Sequence, residues 1–181
     1  MNRKGALLRG IAAAALLALA VPQAWADDAP AAKIDAKTAF DKLKGLAGDW
    51  NGSAKGGVDG QELPSAVVYR TGSNGSVVTE TSFPGTDHEM MTVYFLQGND
   101  LVATHYCAAG NQPHFKLDLA KSSPTELVFA FDGGTNLDPA KDGHVHDGRL
   151  GFAADGKLDS AWTFYAGGEK KGQHEFHLTR K

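Results

Sequence analysis

The chain has 181 residues, seven histidines and a single cysteine, with 18 Lys and Arg against 21 Asp and Glu for a net charge of −3. A lone cysteine excludes an intramolecular disulfide framework, and the lack of any basic excess or basic run argues against nucleic acid and anionic lipid as partners. Stability must come from a packed core.

Residues 1–26 have the layout of a secretory signal: a cationic start with Arg3, Lys4 and Arg9, an apolar run over 11–21, and a small-x-small cleavage site at Ala24-Trp25-Ala26. A membrane-spanning helix needs about 20 apolar residues, more than this run supplies. The expectation is an exported protein, periplasmic or secreted and not inserted in a membrane, whose mature chain starts at Asp27. That chain has 155 residues, 15 of them basic and 21 acidic, for a net charge of −6. This is enough for one domain. Residues 27–34, rich in Ala, Pro and Asp, read as a disordered leader, and 35–181 as the folded domain.

Over 35–46, Phe40, Leu43 and Leu46 recur three apart on one helical face, with Gly45 and Gly48 available to end the helix. One short helix plugging a barrel end is expected. The helical period then stops, and short segments rich in Val, Thr, Phe and Tyr follow, predicted as strands at 49–55, 65–71, 76–83, 89–97, 101–108, 114–121, 126–132, 144–153, 157–166 and 173–180. Ser73-Asn74-Gly75, Gly98-Asn99-Asp100, Asp155-Gly156 and Gly167-Gly168 supply the turn residues that tolerate positive φ. Only 133–143, with Leu137-Asp138-Pro139, is a longer connection, expected to hold a turn of 3₁₀ helix. The predicted fold class is all-β, an up-and-down antiparallel barrel of about ten strands with one short N-terminal helix. Closure of such a meander removes exposed edges.

In the last segment His174, Phe176, Leu178 and Arg180 share one face by strand alternation. A guanidinium among apolar neighbours needs a stacking partner, and Trp50 on the first strand, adjacent in a closed barrel, is the expected one.

Gly48-x-Trp50 at the first strand, an antiparallel meander, and an Arg from the last strand crossing that Trp resemble the calycin group of lipocalins, fatty-acid-binding proteins and haem-binding nitrobindins. The likeness spans the mature chain and is carried by Gly48, Trp50 and Arg180. The chain is most similar to small exported lipocalin-like proteins of bacteria, through Phe83-Pro84-Gly85-Thr86-x-His88-Glu89-Met90 and the stretch from Thr104 through Cys107 to Asn111-Gln112-Pro113. The opening Gly48-x-Trp50-x-Gly52-x-x-x-Gly56 resembles that of nitrobindins, although the Tyr-Pro-Thr that follows there is absent here. The resemblance implies a barrel that encloses a small molecule. Trp50 and Arg180 have the structural role of closing the barrel.

The chemical interest lies in the histidines. His144 and His146 are two apart, so a regular strand would put them on one face with Leu150 and Phe152, opposite Val145, Asp147 and Arg149. Trp162, Phe164, Phe176 and Leu178 are predicted inward with them. His105 and Cys107 have the same spacing beside Leu101 and Ala103. His114, His174 and His177 sit in more charged surroundings. Imidazole and thiolate suit zinc or copper, which makes His105, Cys107, His144 and His146 a candidate metal set. Neutral imidazoles equally serve a polar ligand, and free cysteines are by default buried and inert. Asn111 and Gln112 are expected at the rim near Cys107, and Glu89, next to His88, could orient an imidazole or act as a base. No complete nucleophile–base–orienter motif is visible. The candidate ligand-binding set is therefore His88, Glu89, His105, Cys107, Asn111, Gln112, His144 and His146. The leading expectation is a binding protein for a small molecule; the alternatives are a haem or transition-metal protein, a small hydrolase or isomerase using Glu89 and a His, and a structural envelope protein. Oligomeric state is not set by the sequence.

Overall fold

The computed structural model describes residues 33–56 and 60–181. The signal sequence and nearly all of the expected leader lie outside the described residues. Ile34, expected in that leader, is instead buried with the core.

The described residues form α1 (Ala36–Gly45) and ten strands: β1 (Gly48–Lys55), β2 (Glu62–Gly72), β3 (Val77–Ser82), β4 (Met90–Gln97), β5 (Asp100–Tyr106), β6 (Gln112–Leu117), β7 (Glu126–Thr135), β8 (His144–Phe152), β9 (Leu158–Ala166) and β10 (Glu169–Arg180). Each strand pairs antiparallel with its neighbours in sequence, and β1 pairs with β10, which closes the barrel. The expected turns form where Gly and Asn allow them, with left-handed backbone at Asn74, Gly75, Gly98, Gly156, Gly167 and Gly168. A short 3₁₀ turn falls at Ser73–Gly75, between β2 and β3, and none is assigned in the long connection after β7. The strand β7 runs further than expected, to Thr135, because it continues past β8 to pair with Gln112 and Pro113.

Asp35 starts the helix, its carboxylate accepting from the Thr38 backbone N–H at 2.7 Å. Ala36, Ala39, Phe40 and Leu43 are its buried face, and it packs under β4 and β5. Just beyond it, the Trp50 indole donates to Leu46 O at 2.8 Å. The Arg180 guanidinium lies 4.6 Å over the Trp50 ring and donates to Ala47 O at 2.6 Å and Gly45 O at 2.8 Å. A cation at the carboxyl end of a helix both satisfies its last carbonyls and complements its dipole. Gly48 leaves room for this. Its φ is +143°, and a Cβ there would sit 2.6 Å from Arg180 Nη1.

Above this plug the interior is filled by Tyr69, Tyr94, Phe115, Phe129 and the leucines of β5, β7, β8, β9 and β10. Packing is tight in this half. It loosens toward the opposite end.

The expectation that His144 and His146 face inward is corrected by the register of β8. Val145 pairs with Phe164, but Gly148 pairs with Trp162, so β8 carries one extra residue between them. A bulge of this kind leaves two residues opposite one and changes which face each side chain takes. Thr163 braces it, its hydroxyl accepting from the Asp147 N–H at 3.2 Å. Gly148 is required here because any Cβ would run into the Trp162 ring. Val145 and Phe164 therefore point inward, and their neighbours His144 and Tyr165 turn outward. Trp162, Phe164, Phe176 and Leu178 lie inside as expected.

Candidate functional site

At the end of the barrel away from α1 the side chains stop short of filling the interior, leaving a cavity of about 140 Å³. Its floor is buried: Glu80 and Ser82 from β3, Thr92 from β4, His105 from β5, Trp162 from β9 and Phe176 from β10. Half-buried residues make the rim, namely Phe83, Met90, Cys107, Val145, Phe164 and His174. Most of this wall is apolar or aromatic, with a few polar groups converging on one side, which is the usual make-up of a ligand site. A closed β-barrel with such a space is compatible with binding a small molecule.

His105 is the unusual member. It is 7% exposed, and its Nδ1 is 2.9 Å from Thr92 Oγ1, but Nε2 is buried without a hydrogen-bond partner. Burial disfavours the imidazolium and lowers the His105 pKa from 6.5 to about 4, so the ring is neutral at pH 7. An unpaired buried ring nitrogen costs free energy unless something else meets it.

Behind His105 lies a buried polar group on β2, β3 and β4. Glu80 accepts from the Tyr94 hydroxyl at 2.7 Å and from Ser82 at 3.4 Å. The Tyr69 hydroxyl faces the same carboxyl without forming a bond of good geometry. Burial raises the Glu80 pKa, and the hydroxyls that favour its ionised form offset part of that rise. The Tyr69 and Tyr94 phenols are pushed well up, first by burial and then by the Glu80 charge.

The expected site residues are divided by the structure. His105 and Cys107 line the cavity. Cys107 is half-buried at the rim, where the Ala109 N–H lies 3.5 Å from its sulfur, so the default of full burial does not hold. His88 and Glu89 are exposed on the β3–β4 turn, where Glu89 accepts from the Gly85 N–H at 2.6 Å and ties the turn together. Asn111 donates to Gly143 O at 2.8 Å, and Gln112 accepts from Asn136 at 2.9 Å. These amides join the β5–β6 turn to the β7–β8 connection and do not line the cavity.

His144 and His146 do not line the cavity; they form a second cluster in the seam where β7 and β8 part. His144 is fully buried; its Nδ1 lies 2.9 Å from Asp142 O and its Nε2 3.1 Å from His146 Nδ1. The carbonyl can only accept, so His144 Nδ1 carries the proton and Nε2 accepts from His146. The His146 ring is sandwiched between Tyr165 at 3.9 Å and Phe131 at 4.5 Å, and burial lowers its pKa. The proposed four-member metal set is thus split between the cavity, which His105 and Cys107 line, and this seam. Among the described residues no three His, Cys, Asp or Glu side chains are gathered closely enough to hold a metal ion. A haem does not fit the cavity as it stands, since about 140 Å³ is less than half the lower limit of roughly 300 Å³ for drug-sized ligands.

Glu80, Ser82, Thr92 and His174 are cavity residues outside the expected set. Alternation with Phe176 and Leu178 was a usable signal for His174, outweighed by its charged neighbours Lys170, Lys171 and Glu175. For Glu80 the only signal was its place two residues from Val78, because an interior carboxylate looks like a solvent-facing one until its hydroxyl partners are known.

No protein-family model matches this chain, and no curated protein matches it either. Among the described residues, no helix is long and apolar enough to cross a membrane.

Proposed function

We propose that this chain is an exported, lipocalin-like binding protein that holds a small, largely apolar molecule in the cavity beneath Phe83, Met90 and Phe164. The observation that carries this reading is the buried, unpartnered His105 Nε2 on a cavity wall that is otherwise mostly apolar. Space with one convergent polar atom is what a specific small ligand uses. A cavity of about 140 Å³ matches a ligand near the size of a benzene ring, since an apolar cavity of roughly 150 Å³ takes benzene. Export is supported by the cationic start, short apolar run and Ala24-Trp25-Ala26 of the precursor, and kinship with the calycin group by Gly48, Trp50 and Arg180.

The test is titration of the protein with benzene and its simple derivatives, followed by tryptophan fluorescence and by NMR of the His105 ring. Saturable binding that shifts His105 and is abolished by Val145→Trp, with the melting transition retained, is expected. Ligands that leave the His105 resonances unmoved would remove the cavity as the site. Expression with residues 1–26 in place should yield an exported product, in the periplasm or the medium, that begins at Asp27 by mass spectrometry; retention of the full precursor inside the cell would refute export.

A further inference from the structure

Glu80 has no counter-ion. It is 4% exposed, and none of the ion pairs among the described residues involves it. No Lys or Arg lines the cavity, and the two imidazoles that do, His105 and His174, are neutral at pH 7 because burial lowers both pKa values. The Tyr69 and Tyr94 phenols beside it are neutral as well. Its hydrogen bonds use only part of the carboxylate: of about four lone-pair positions, Tyr94 takes one on Oε2 at 2.7 Å and Ser82 one on Oε1 at the long distance of 3.4 Å. A buried carboxylate is ordinarily paired with a cation or kept protonated. This one has no cation within the protein, and it lines a space.

Cross-strand register sets Glu80 beside Thr92 and Thr92 beside His105, so the inner faces of β3, β4 and β5 form one polar strip along the cavity. In the ring of ten strands β9 stands directly opposite β4. Trp162 and Phe164 on β9, with Phe176 on β10 and Phe83 packed 5.5 Å from it between ring centres, make the apolar wall that faces the strip. Resting on the binding reading above, we propose that the cavity takes small monoamines, with the ammonium paired to Glu80 and a compact hydrocarbon body against Trp162, Phe164 and Phe176. Folding has already stripped water from the carboxylate, so the pair costs only the desolvation of the ligand's ammonium, and the aromatic rings offset part of that by attracting cations. An anionic ligand would meet like charge, and a neutral one of the same shape gains the body contacts alone.

The experiment measures cyclopentylamine, cyclopentanol and benzene by calorimetry at neutral pH on the protein and on Glu80→Gln, with ¹³C NMR of the Glu80 carboxyl in the wild type. The two cyclopentyl probes share a body and differ in ammonium against hydroxyl. A hydrogen bond to a charged, buried partner should make the amine bind about tenfold tighter than the alcohol, with benzene competing for the same site, and Glu80→Gln should lose that preference. The Glu80 carboxyl should titrate at a lower pH with the amine bound than with the alcohol bound, since a cation favours the ionised form; this readout decides the matter even where Glu80→Gln does not fold. An amine no tighter than the alcohol, an unchanged carboxyl titration, or a preference that survives in Glu80→Gln would overturn the ammonium pairing. In each of these cases benzene that still binds leaves the binding reading intact, whereas no binding by any of the probes would remove both.

Discussion

The two ends of this barrel handle their polar groups in opposite ways. At the α1 end the Trp50 indole and the Arg180 guanidinium end on backbone carbonyls of residues 45–47, and their rings and planes stack on each other. At the other end His105 keeps one buried nitrogen unpaired beside a space, and the rim is only half-buried. Satisfied polar groups and close packing stabilise; an unsatisfied group next to a cavity destabilises and persists where a ligand or water can complete it. The difference separates the part of the molecule that holds the fold from the part that is available for chemistry.

The comparison can be broken most severely from the plugged end. Trp50→Ala should cost about 3–5 kcal/mol, because it empties a buried site and strips the stacking partner from Arg180, while ligands that still bind the folded protein keep their affinity. Urea unfolding together with probe titration checks both parts. A stable Trp50→Ala protein that had lost binding would reverse the roles of the two ends.

At the cavity end the expected signature is acid lability. The His105 pKa is about 4 in the folded protein against 6.5 for a free ring. Between these values the unfolded chain takes up a proton that the folded chain refuses, so the stability conferred by a neutral His105 is complete above pH 6.5 and is lost as pH falls toward 4. The loss is about 3 kcal/mol. The raised pKa of Glu80 acts in the opposite direction, and the lowered pKa values of His146 and His174 in the same one, so the informative quantity is the difference between wild type and His105→Gln. Denaturant unfolding from pH 7 to pH 4 should show a flatter profile in the variant; parallel profiles would mean His105 titrates normally.

Gly148→Ala tests whether the bulge shapes the site. A methyl group there must displace the Trp162 ring, at a cost of about 1–3 kcal/mol, and should also weaken probe binding because Trp162 lines the cavity. Loss of stability with binding unchanged would detach the bulge from the site. The smallest effect is expected for Arg180→Ala, about 1–2 kcal/mol from the lost stack and helix-end contacts, with no change in probe affinity by the same titration.

Much of the barrel was legible residue by residue. Phe40, Leu43 and Leu46 repeat at helical spacing, Asn74-Gly75 and Gly167-Gly168 have few alternatives to a turn, and alternation from Leu178 back to His174 and on to Arg180 identified the partner of Trp50. The site was less legible. His105 and Cys107 were found because β5 is regular through Tyr106. His144 and His146 were misplaced because one inserted residue before Gly148 shifts the phase of β8, and a glycine inside a strand was the sole local hint of it. Glu80 had only its alternation with Val78 and Thr92 had no hint, since the meaning of Glu80 depends on Tyr94 and that of Thr92 on His105, each on a neighbouring strand.

Sequence alone determined the order of elements, the closure of the meander and the contact between its first and last strands, because these follow from side-chain period, turn chemistry and residues whose burial needs a particular partner. Only the tertiary structure decided which polar side chains share the interior. That choice depends on cross-strand register, where a single extra residue moves every side chain beyond it to the other face, and no local pattern records how ten strands align around one cavity.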